Sequence, residues 1–382
     1  MAGTRLVNQF ERLTKRELQV ALLVASGLSD REIAERLLVA RRTAEWHVEQ
    51  ILGKVGLKSR SQIAALVTQA ETLGTPLVAT LGPHVELPAQ AAVFLGYKPE
   101  LQRELLETTR PLSSEPGDET DSRRQERLAA LAEAGYNPVV VGFVYGEALR
   151  TVATQYPNTE FAILDDPSLA LDHPNVTGLV FADKEGSFLV GAIAAQASRS
   201  GVLGFVGGAE VPFIAKFHAG FKAGAAAVRP GIRVIAKYLA DPPKFAGFSN
   251  PAKARAVAAA MYEAGADVVY HAAGGSGSGV FQAAKAAGQL AIGVDSDQYL
   301  TAPIDTRAGI LTSMLKRVDG GVRRYIQTRN ARSSFPRVAR FNLANEGVAY
   351  SKSNPRIQPY VATADSLRDL IVAGKIRVPD TP

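Results

Sequence analysis

The sequence predicts a small all-α module of four helices followed by an α/β domain of two lobes with doubly wound parallel sheets. Three observations carry that expectation. Residues 13 to 72 hold only short helical patterns, punctuated by capping residues and glycine stops. From Pro76 onward, apolar β-rich runs alternate with Ala-rich helical stretches. Those runs are apolar throughout, the pattern of parallel strands covered on both faces. A chain of 382 residues is too long for one ordinary domain. We place the domains at 1–73 and 76–382.

In the first module, "LTKRELQVALLVASG" opens at Thr14, with Glu17 closing a capping box, and stops at Gly27. "SDREIAERLLV" repeats the design with Ser29 and Glu32. "ARRTAEWHVEQILGKVG" turns Ala44, Val48, Ile51 and Leu52 inward and stops at Gly56. "SRSQIAALVTQAETLG" is a fourth helix. In the larger part the expected strands are "PLVATLG", "PVVVGFV", "EFAILDD", "TGLVFAD", "GVLGFVGG", "RVIAKYL", "ADVVYHAAGG" and "LAIGVDSD". Helices such as "PFIAKFHAGFKAGAAAV" and "PAKARAVAAAMYEAG" fall between them, and "PLSSEPGDETDS" reads as a surface loop. "AIGVDSDQ" matters most, because carboxylates at the carboxyl end of a strand lie where open α/β sheets bind ligands.

Composition removes several classes. Hydrophobic residues make up 46% and charged ones 21%, the proportions of an ordinary globular protein. Cysteine is absent, which excludes disulfides, thiolate metal sites, a cysteine nucleophile and a lipid-acceptor cysteine. "MAGTRLVNQFERLTKRE" has no apolar export core, and no run of about 18 apolar residues occurs, so we expect a cytoplasmic protein without a membrane span. The net charge of +6 is compatible with a polyanionic partner. His47, His84, His173, His218 and His271 are scattered, with no metal-ligand spacing. We therefore expect no catalytic residue, no metal and no cofactor.

The first module resembles the LuxR-type helix-turn-helix. The matching residues are Leu13-Thr14, Arg16-Glu17, Gly27-Leu28-Ser29, Arg31-Glu32-Ile33-Ala34, Thr43 with His47, and Lys54-Val55-Gly56-Leu57-Lys58-Ser59-Arg60. The resemblance implies duplex DNA as a partner, a homodimer, and a third helix lying in the major groove. It implies Glu45, Trp46 and Glu49 at base-facing positions. Arg41, Arg42, Lys54, Lys58 and Arg60 would mostly meet phosphates, and Thr43 and His47 belong to the same interface. Two positions depart from the pattern: Ala40 stands where a capping Ser is usual, and Ala44 where a β-branched residue is.

The larger domain resembles the basic-membrane-protein (PnrA-like) family of nucleoside-binding receptors, which have the type I periplasmic-binding fold. "AEAGYNPVVVGFVYGEAL", "FADKEGSFLVGAIAA", "GFVGGAEVPFIAKFHAGFKAGA", "FSNPAKARAVAAAMYEAGADVVYHAAGGSGSGVFQAAK", "AIGVDSDQ" and "ILTSMLKRVD" carry the resemblance in order. It implies a purine nucleoside between two lobes. Phe248 matches the base-stacking aromatic, Asp295 the ribose-binding acid and Lys316 the cleft lysine. Gly274 and Gly275 would admit the ligand to the backbone, and Glu185 is an acidic position near the first crossover. Bland readings stand beside these: Phe248 as a core plug, Asp295 and Asp297 as helix caps, Lys316 as a solvated helical residue. The family's Asp-x-x-Phe-Asn pattern is missing from "LGPHVELPAQAAVFLG". His84, Glu86, Gln90 or Phe94 are candidates to replace it.

Together the halves imply a regulator that binds DNA and senses a small molecule. The competing classes are a receptor of an ABC-type uptake system, a regulator whose large domain only dimerises, and an enzyme acting on nucleosides.

Overall fold

The structure, a computed structural model, describes residues 13, 15–25, 29–37, 41–57, 59–72, 92–94, 110–111, 120–133, 135–242, 244–330 and 333–382. It divides into two compact units, Met1–Ala89 and Gln90–Pro382.

The first unit holds α1 (Lys15–Ala25), α2 (Asp30–Leu37), α3 (Arg41–Val55) and α4 (Arg60–Thr72). Apolar residues at three- and four-residue spacing give each helix one inward stripe. Val20, Ala21 and Val24 pack with Ile33, Ala34, Ala44, Val48, Ile51, Ile63 and Val67 in a single core. The box that opens α2 is complete. Ser29 donates its N–H and hydroxyl to Glu32 at 2.7 and 2.6 Å, and its Oγ accepts from Glu32 N. Such a cap is worth about 1 kcal/mol. Gly56 ends α3 with a φ of +70°, where a side chain would be strained.

The second unit contains β1 (Ala92–Phe94), β2 (Arg110–Pro111), α5 (Asp121–Glu133), β3 (Val139–Val141), α6 (Gly146–Gln155), β4 (Phe161–Leu164), α7 (Ser168–Asp172) and β5 (Val176–Phe181). Next come α8 (Asp183–Ala197), β6 (Val202–Gly207), α9 (Pro212–Val228), β7 (Arg233–Tyr238), α10 (Pro251–Glu263), β8 (Val268–Ala272), α11 (Gly277–Ala287) and β9 (Leu290–Asp295). The chain finishes with α12 (Gln298–Thr301), α13 (Ile304–Arg307), β10 (Ile310–Lys316), α14 (Val318–Asn330), β11 (Val338–Phe341), β12 (Val348–Tyr350) and α15 (Gln358–Val372).

Two six-stranded sheets form. Lobe 1 has the order β11-β5-β4-β3-β1-β2 and lobe 2 the order β12-β10-β9-β8-β6-β7. The pairs are parallel except β10 with β12. The two orders correspond strand for strand, so β4 matches β9 and β5 matches β10. The chain passes between lobes three times: from β5 into α8, from β10 into α14, and from β11 to β12. Helices α8 and α9 touch through glycines. A Cβ on Gly220 would lie 2.1 Å from the Lys184 carbonyl oxygen, and one on Gly224 would lie 1.9 Å from that of Phe188.

Seven of the eight expected strands appear as β3 to β9; "PLVATLG" lies outside the described residues. Five strands were not anticipated. Four of them span two to four residues, too short for a periodicity. The fifth, β10, was hidden by its polar residues, which the fold pairs internally. Thr312 donates to the Ser351 carbonyl at 2.7 Å, and Ser313 Oγ accepts from Gln298 N at 3.1 Å. In "PLSSEPGDETDS", Pro111 lies on β2 and Asp121 begins α5, while residues 112–119 lie outside the described set.

Candidate functional site

The carboxyl ends of β4, β5, β9 and β10 bring a lysine and three aspartates together. Lys316 ends β10 and is 1% exposed. Its ammonium lies 2.5 Å from Asp165 Oδ2, just beyond β4, and 3.3 Å from Asp183 Oδ1, at the start of α8. Asp295, the last residue of β9, is paired in register with Leu315, the neighbour of Lys316. Burial alone would favour the neutral amine. The carboxylates of Asp165, Asp183 and Asp295 outweigh it and hold the lysine pKa above its ordinary value. Asp165 and Asp295 share one conformation, with φ of 66° and 68°, at corresponding strands of the two lobes. Oδ1 of Asp165 is buried and accepts no hydrogen bond among the described residues.

Above the charges lies a layer of rings. Lys316 Nζ sits 4.7 Å from the Phe213 ring centroid and 5.2 Å from that of Phe181. Phe213 opens α9, and Phe248 lies on a turn between β7 and α10. Phe143, from the turn after β3, meets Phe213 at 4.9 Å and Phe248 at 6.2 Å between centroids. Phe143, Phe213, Phe248, Gly274 and Asp295 form the wall of one small cavity of about 10 Å³. Two larger depressions, of about 730 and 430 Å³, lie elsewhere on this unit. One follows the crossovers around Leu343 to Gly347; the other involves Arg199, Asp267 and Tyr360.

Supporting hydrogen bonds fix both layers. Ser276 donates to the Gly247 carbonyl and accepts from Asn250 N, both at 2.7 Å, which ties the Phe248 turn to the start of α11. A Cβ on Gly208 would come within 2.4 Å of the Phe248 ring, and one on Gly274 within 3.5 Å. Behind Asp295, Gln298 Oε1 accepts from Val294 N at 2.8 Å and lies 3.0 Å from His271 Nε2. With that oxygen as acceptor, Nε2 carries the proton. Burial pushes the His271 pKa down to about 4, although Asp295 and Gln298 pull it upward.

In the helical unit, α3 buries Ala44, Val48 and Ile51 and turns the opposite face outward. Arg42, Trp46, Glu49 and Gly53 fall within an arc of about 60° on that face. Trp46 is 51% exposed, whereas the module's other described large apolar side chains pack inward. His47, half-buried, meets the Trp46 ring edge-on at 4.9 Å. Glu45 accepts from Arg41 Nε at 2.8 Å, and Thr43 is half-buried one turn before His47.

A model of the ABC transporter substrate-binding proteins described as PnrA-like matches residues 96–382, three-quarters of the chain. The chain belongs to the PnrA-like family. A second model, of bacterial regulatory proteins of the luxR family, matches residues 11–67. The chain is 35% identical over 257 residues to the CD4+ T-cell-stimulating antigen of Listeria monocytogenes, covering 63% of this chain and 70% of that protein. It is 36% identical over 254 residues to the ABC transporter nucleoside-binding protein BmpA of Lactococcus lactis subsp. cremoris, with the same coverage. A solute-binding protein from Aeropyrum pernix K1 superposes with a TM-score of 0.63 at 21% identity, over 76% of this chain and 94% of that one. A transcriptional activator of the comK gene from Bacillus halodurans does so at 0.58 and 18%, over 76% and 100%. The larger unit thus has the type I periplasmic-binding-protein-like fold.

Within this PnrA-like domain the structure brings Phe248, Asp295, Gly274 and Lys316 to one site. Lys316 is a buried strand residue rather than a solvated helical one, because β10 continues to it and two aspartates receive its charge. Gly274 and Gly275 approach Phe248, whose carbonyl oxygen would lie 3.4 Å from a Cβ on either. Glu185 stands apart from the wall: it accepts from Leu343 N at 3.1 Å, across the crossovers. Asp297 accepts from the Ser351 hydroxyl at 2.7 Å and from that of Ser353. Phe94 lies on β1, and His84, Glu86 and Gln90 lie outside the described residues. In the helical unit, Lys54 donates to both oxygens of Glu17, at 2.8 and 2.7 Å, and Arg60 pairs with Asp30. Both cations, expected to meet phosphates, carry these ion pairs while remaining 35% and 33% exposed. Arg41, Arg42 and Glu49 are exposed, and Lys58 lies outside the described residues. Sequence reasoning missed Asp165, Asp183, Phe143 and Phe213. Asp165 was open to it, since "ILDD" ends an apolar strand as "GVDSD" does.

Proposed function

We propose that this chain is a ligand-responsive transcription regulator and not an enzyme. Its helical module reads duplex DNA as a homodimer on two half-sites, inside the cell, and its PnrA-like domain senses a small molecule. The observation that carries the reading is the joining, in one chain, of a luxR-family module exposing Trp46 and Arg42 to a binding-protein domain with a chemically differentiated cleft. The ring layer suits a flat, apolar heterocycle, and the carboxylate layer suits hydroxyl donors. A purine nucleoside has both, and the lactococcal relative is named a nucleoside-binding protein. Three carboxylates against one lysine disfavour a phosphorylated ligand. Ligand occupancy sets DNA affinity, and DNA shifts ligand affinity by the same factor.

The test uses the full-length protein. Duplexes selected from a randomised pool are titrated by fluorescence anisotropy at two salt concentrations, with and without nucleosides, free bases, nucleotides and pentoses. We expect salt-sensitive DNA binding whose affinity changes with one nucleoside. A different ligand class giving the effect would overturn the nucleoside assignment and leave the sensor. Ligand binding with no change in DNA affinity would overturn the sensor. If no ligand binds, the larger domain only dimerises.

A further inference from the structure

We propose that Gln298 is a positioning residue for Asp295, holding the backbone behind it so that its carboxylate meets the ligand's hydroxyl groups. This deepens the nucleoside reading and rests on it. Asp295 ends β9 in a conformation that side chains rarely adopt, with φ of 68°. Ser296 N donates to the Val294 carbonyl at 2.8 Å across it. A hydrogen bond from residue i+2 to residue i around a positive central φ is the γ-turn in its rare, strained form. Such a turn persists only where its surroundings over-determine it.

Gln298 supplies the constraint. The β8–β9 ladder ends where Tyr270 pairs with Ile292, before the turn is reached. Beyond that point the Gln298 side chain bridges the strands. Its Oε1 accepts from Val294 N on β9 at 2.8 Å and lies 3.0 Å from Nε2 of His271 on β8. Val294 N–H can only donate, so the atom it meets is the amide oxygen, and His271 donates to that same oxygen. With its carbonyl in the turn and its N–H on Gln298, Val294 has both backbone groups committed. Gln298 is anchored in turn, since its N donates to Ser313 Oγ on β10 at 3.1 Å. The bridge fits because residue 293 is glycine: a Cβ there would lie 2.5 Å from Ser313 Oγ and 2.7 Å from Gln298 Oε1. Asp165, the counterpart of Asp295 in lobe 1, is anchored through its carboxylate, by the Lys316 ammonium. The anchor behind Asp295 acts on the backbone instead, and Asp295 stays at the wall of the Phe248 cavity. Losing the amide oxygen releases the turn and, with it, the direction of the carboxylate.

The test compares the full-length protein with Gln298→Met, which keeps the side chain's length and removes the acceptor. Adenosine and guanosine are titrated calorimetrically, each beside its 2′,3′-dideoxy counterpart. We expect the unmodified protein to favour the ribosides by about ten- to a hundredfold, and Gln298→Met to reduce that preference at least about fivefold while changing dideoxynucleoside affinity by less than about twofold. In an Asp295→Asn background the same substitution should leave the preference where it is. A residue that only stabilised the fold would weaken ribosides and dideoxynucleosides alike, and that result overturns the positioning role. So does an undiminished preference in Gln298→Met. Should Gln298→Met fail to fold, Gln298→Asn decides in the same way, because its shorter side chain withdraws the oxygen from Val294 N. Amide hydrogen exchange of residues 290–298 without ligand separates the positioning role from the nucleoside reading. Faster exchange at Val294 in a variant with an unchanged urea midpoint supports the role, and unchanged exchange overturns it, even where no nucleoside binds and the nucleoside reading falls.

Discussion

Removing Lys316 should destabilise the PnrA-like domain far more than removing a surface lysine. Its ammonium is 1% exposed, and the side chain of Asp165 is 2% exposed, as against the near-zero value of exposed ion pairs. Replacing it by Met keeps the stem's volume and leaves Asp165 and Asp183 buried without their cation. Breaking one side of a buried pair costs about 3–5 kcal/mol. Lys316→Met should therefore lower the urea midpoint of the larger unit by that free energy. Asp165→Asn alone leaves the lysine beside Asp183 and should cost less. In the double variant Lys316→Met/Asp165→Asn the two costs should not add, and the coupling should be at least about 2 kcal/mol. Raising the salt concentration, which shortens the Debye length from about 10 Å at ~0.1 M to about 4 Å at ~0.5 M, should leave the coupling unchanged, because the pair is out of solvent. The raised lysine pKa gives the sign with pH: the stabilisation is complete below its unfolded value of 10.5 and is lost only as pH rises beyond it. Urea unfolding followed by circular dichroism, with denaturant slopes compared between variants, supplies the numbers. A cost under about 1 kcal/mol for Lys316→Met, or strict additivity in the cycle, would refute the ion pair as a structural element.

Four further outcomes are expected. His271, with a folded pKa of about 4 against 6.5, stabilises the fold above pH 6.5. That contribution falls by up to about 1.4 kcal/mol per pH unit as pH drops toward 4, and His271→Gln should flatten the acid side of a stability–pH curve. Arg42→Ala should weaken binding to selected and random duplexes alike and lower the salt slope by about one. Lys54→Met should instead lower the module's melting temperature, since Glu17 is 2% exposed beneath it, and an unchanged melt would show that the pair is dispensable. Nucleoside 5′-monophosphates should bind more weakly than their nucleosides, as isothermal titration would measure, with equal affinities counting against the carboxylate layer as a selector.

Much of the fold was legible because the 3.6-residue helical stripes are long and the strands are continuous apolar runs. α3 shows Ala44, Val48 and Ile51 at helical spacing, and β9 is an apolar run ended by an aspartate. The site was half legible. Phe248, Asp295 and Lys316 came from matching motifs, and a motif names a residue without giving its surroundings. Lys316 matched the cleft lysine, but a solvated helical lysine stood beside that reading because the partners that neutralise it, Asp165 and Asp183, stand 151 and 133 residues away in the chain. The carboxylates paired with Lys54 and Arg60 were hidden for the same reason, since Glu17 and Asp30 come from other helices. Phe143 carries no local signal of its place in the ring layer, because the rings it meets, Phe213 and Phe248, come from the other lobe.

The contacts that close the cleft are also those that a ligand would strengthen. Lys316 reaches from lobe 2 to Asp165 of lobe 1, and Phe143 reaches from lobe 1 to Phe213 and Phe248 of lobe 2. A closed form is therefore supported without ligand, and a sensor works only if the ligand binds that form better than the open one. Converting a 1:99 population into 99:1 takes about 5.5 kcal/mol of differential affinity. Two hydroxyl groups donating to Asp165 and Asp295 would contribute about 1.5–3 kcal/mol each, and a ring stacked on Phe248 about 0.5–1.5 kcal/mol. The hydroxyl contribution, about 3–6 kcal/mol together, reaches the requirement only near its upper end, and the ring raises the sum to about 3.5–7.5 kcal/mol. A pentose alone reaches the carboxylates and forgoes the rings, and a free base does the opposite. A ligand carrying both parts has the widest margin over the requirement, which makes the whole nucleoside of the proposed function the first switching ligand to test.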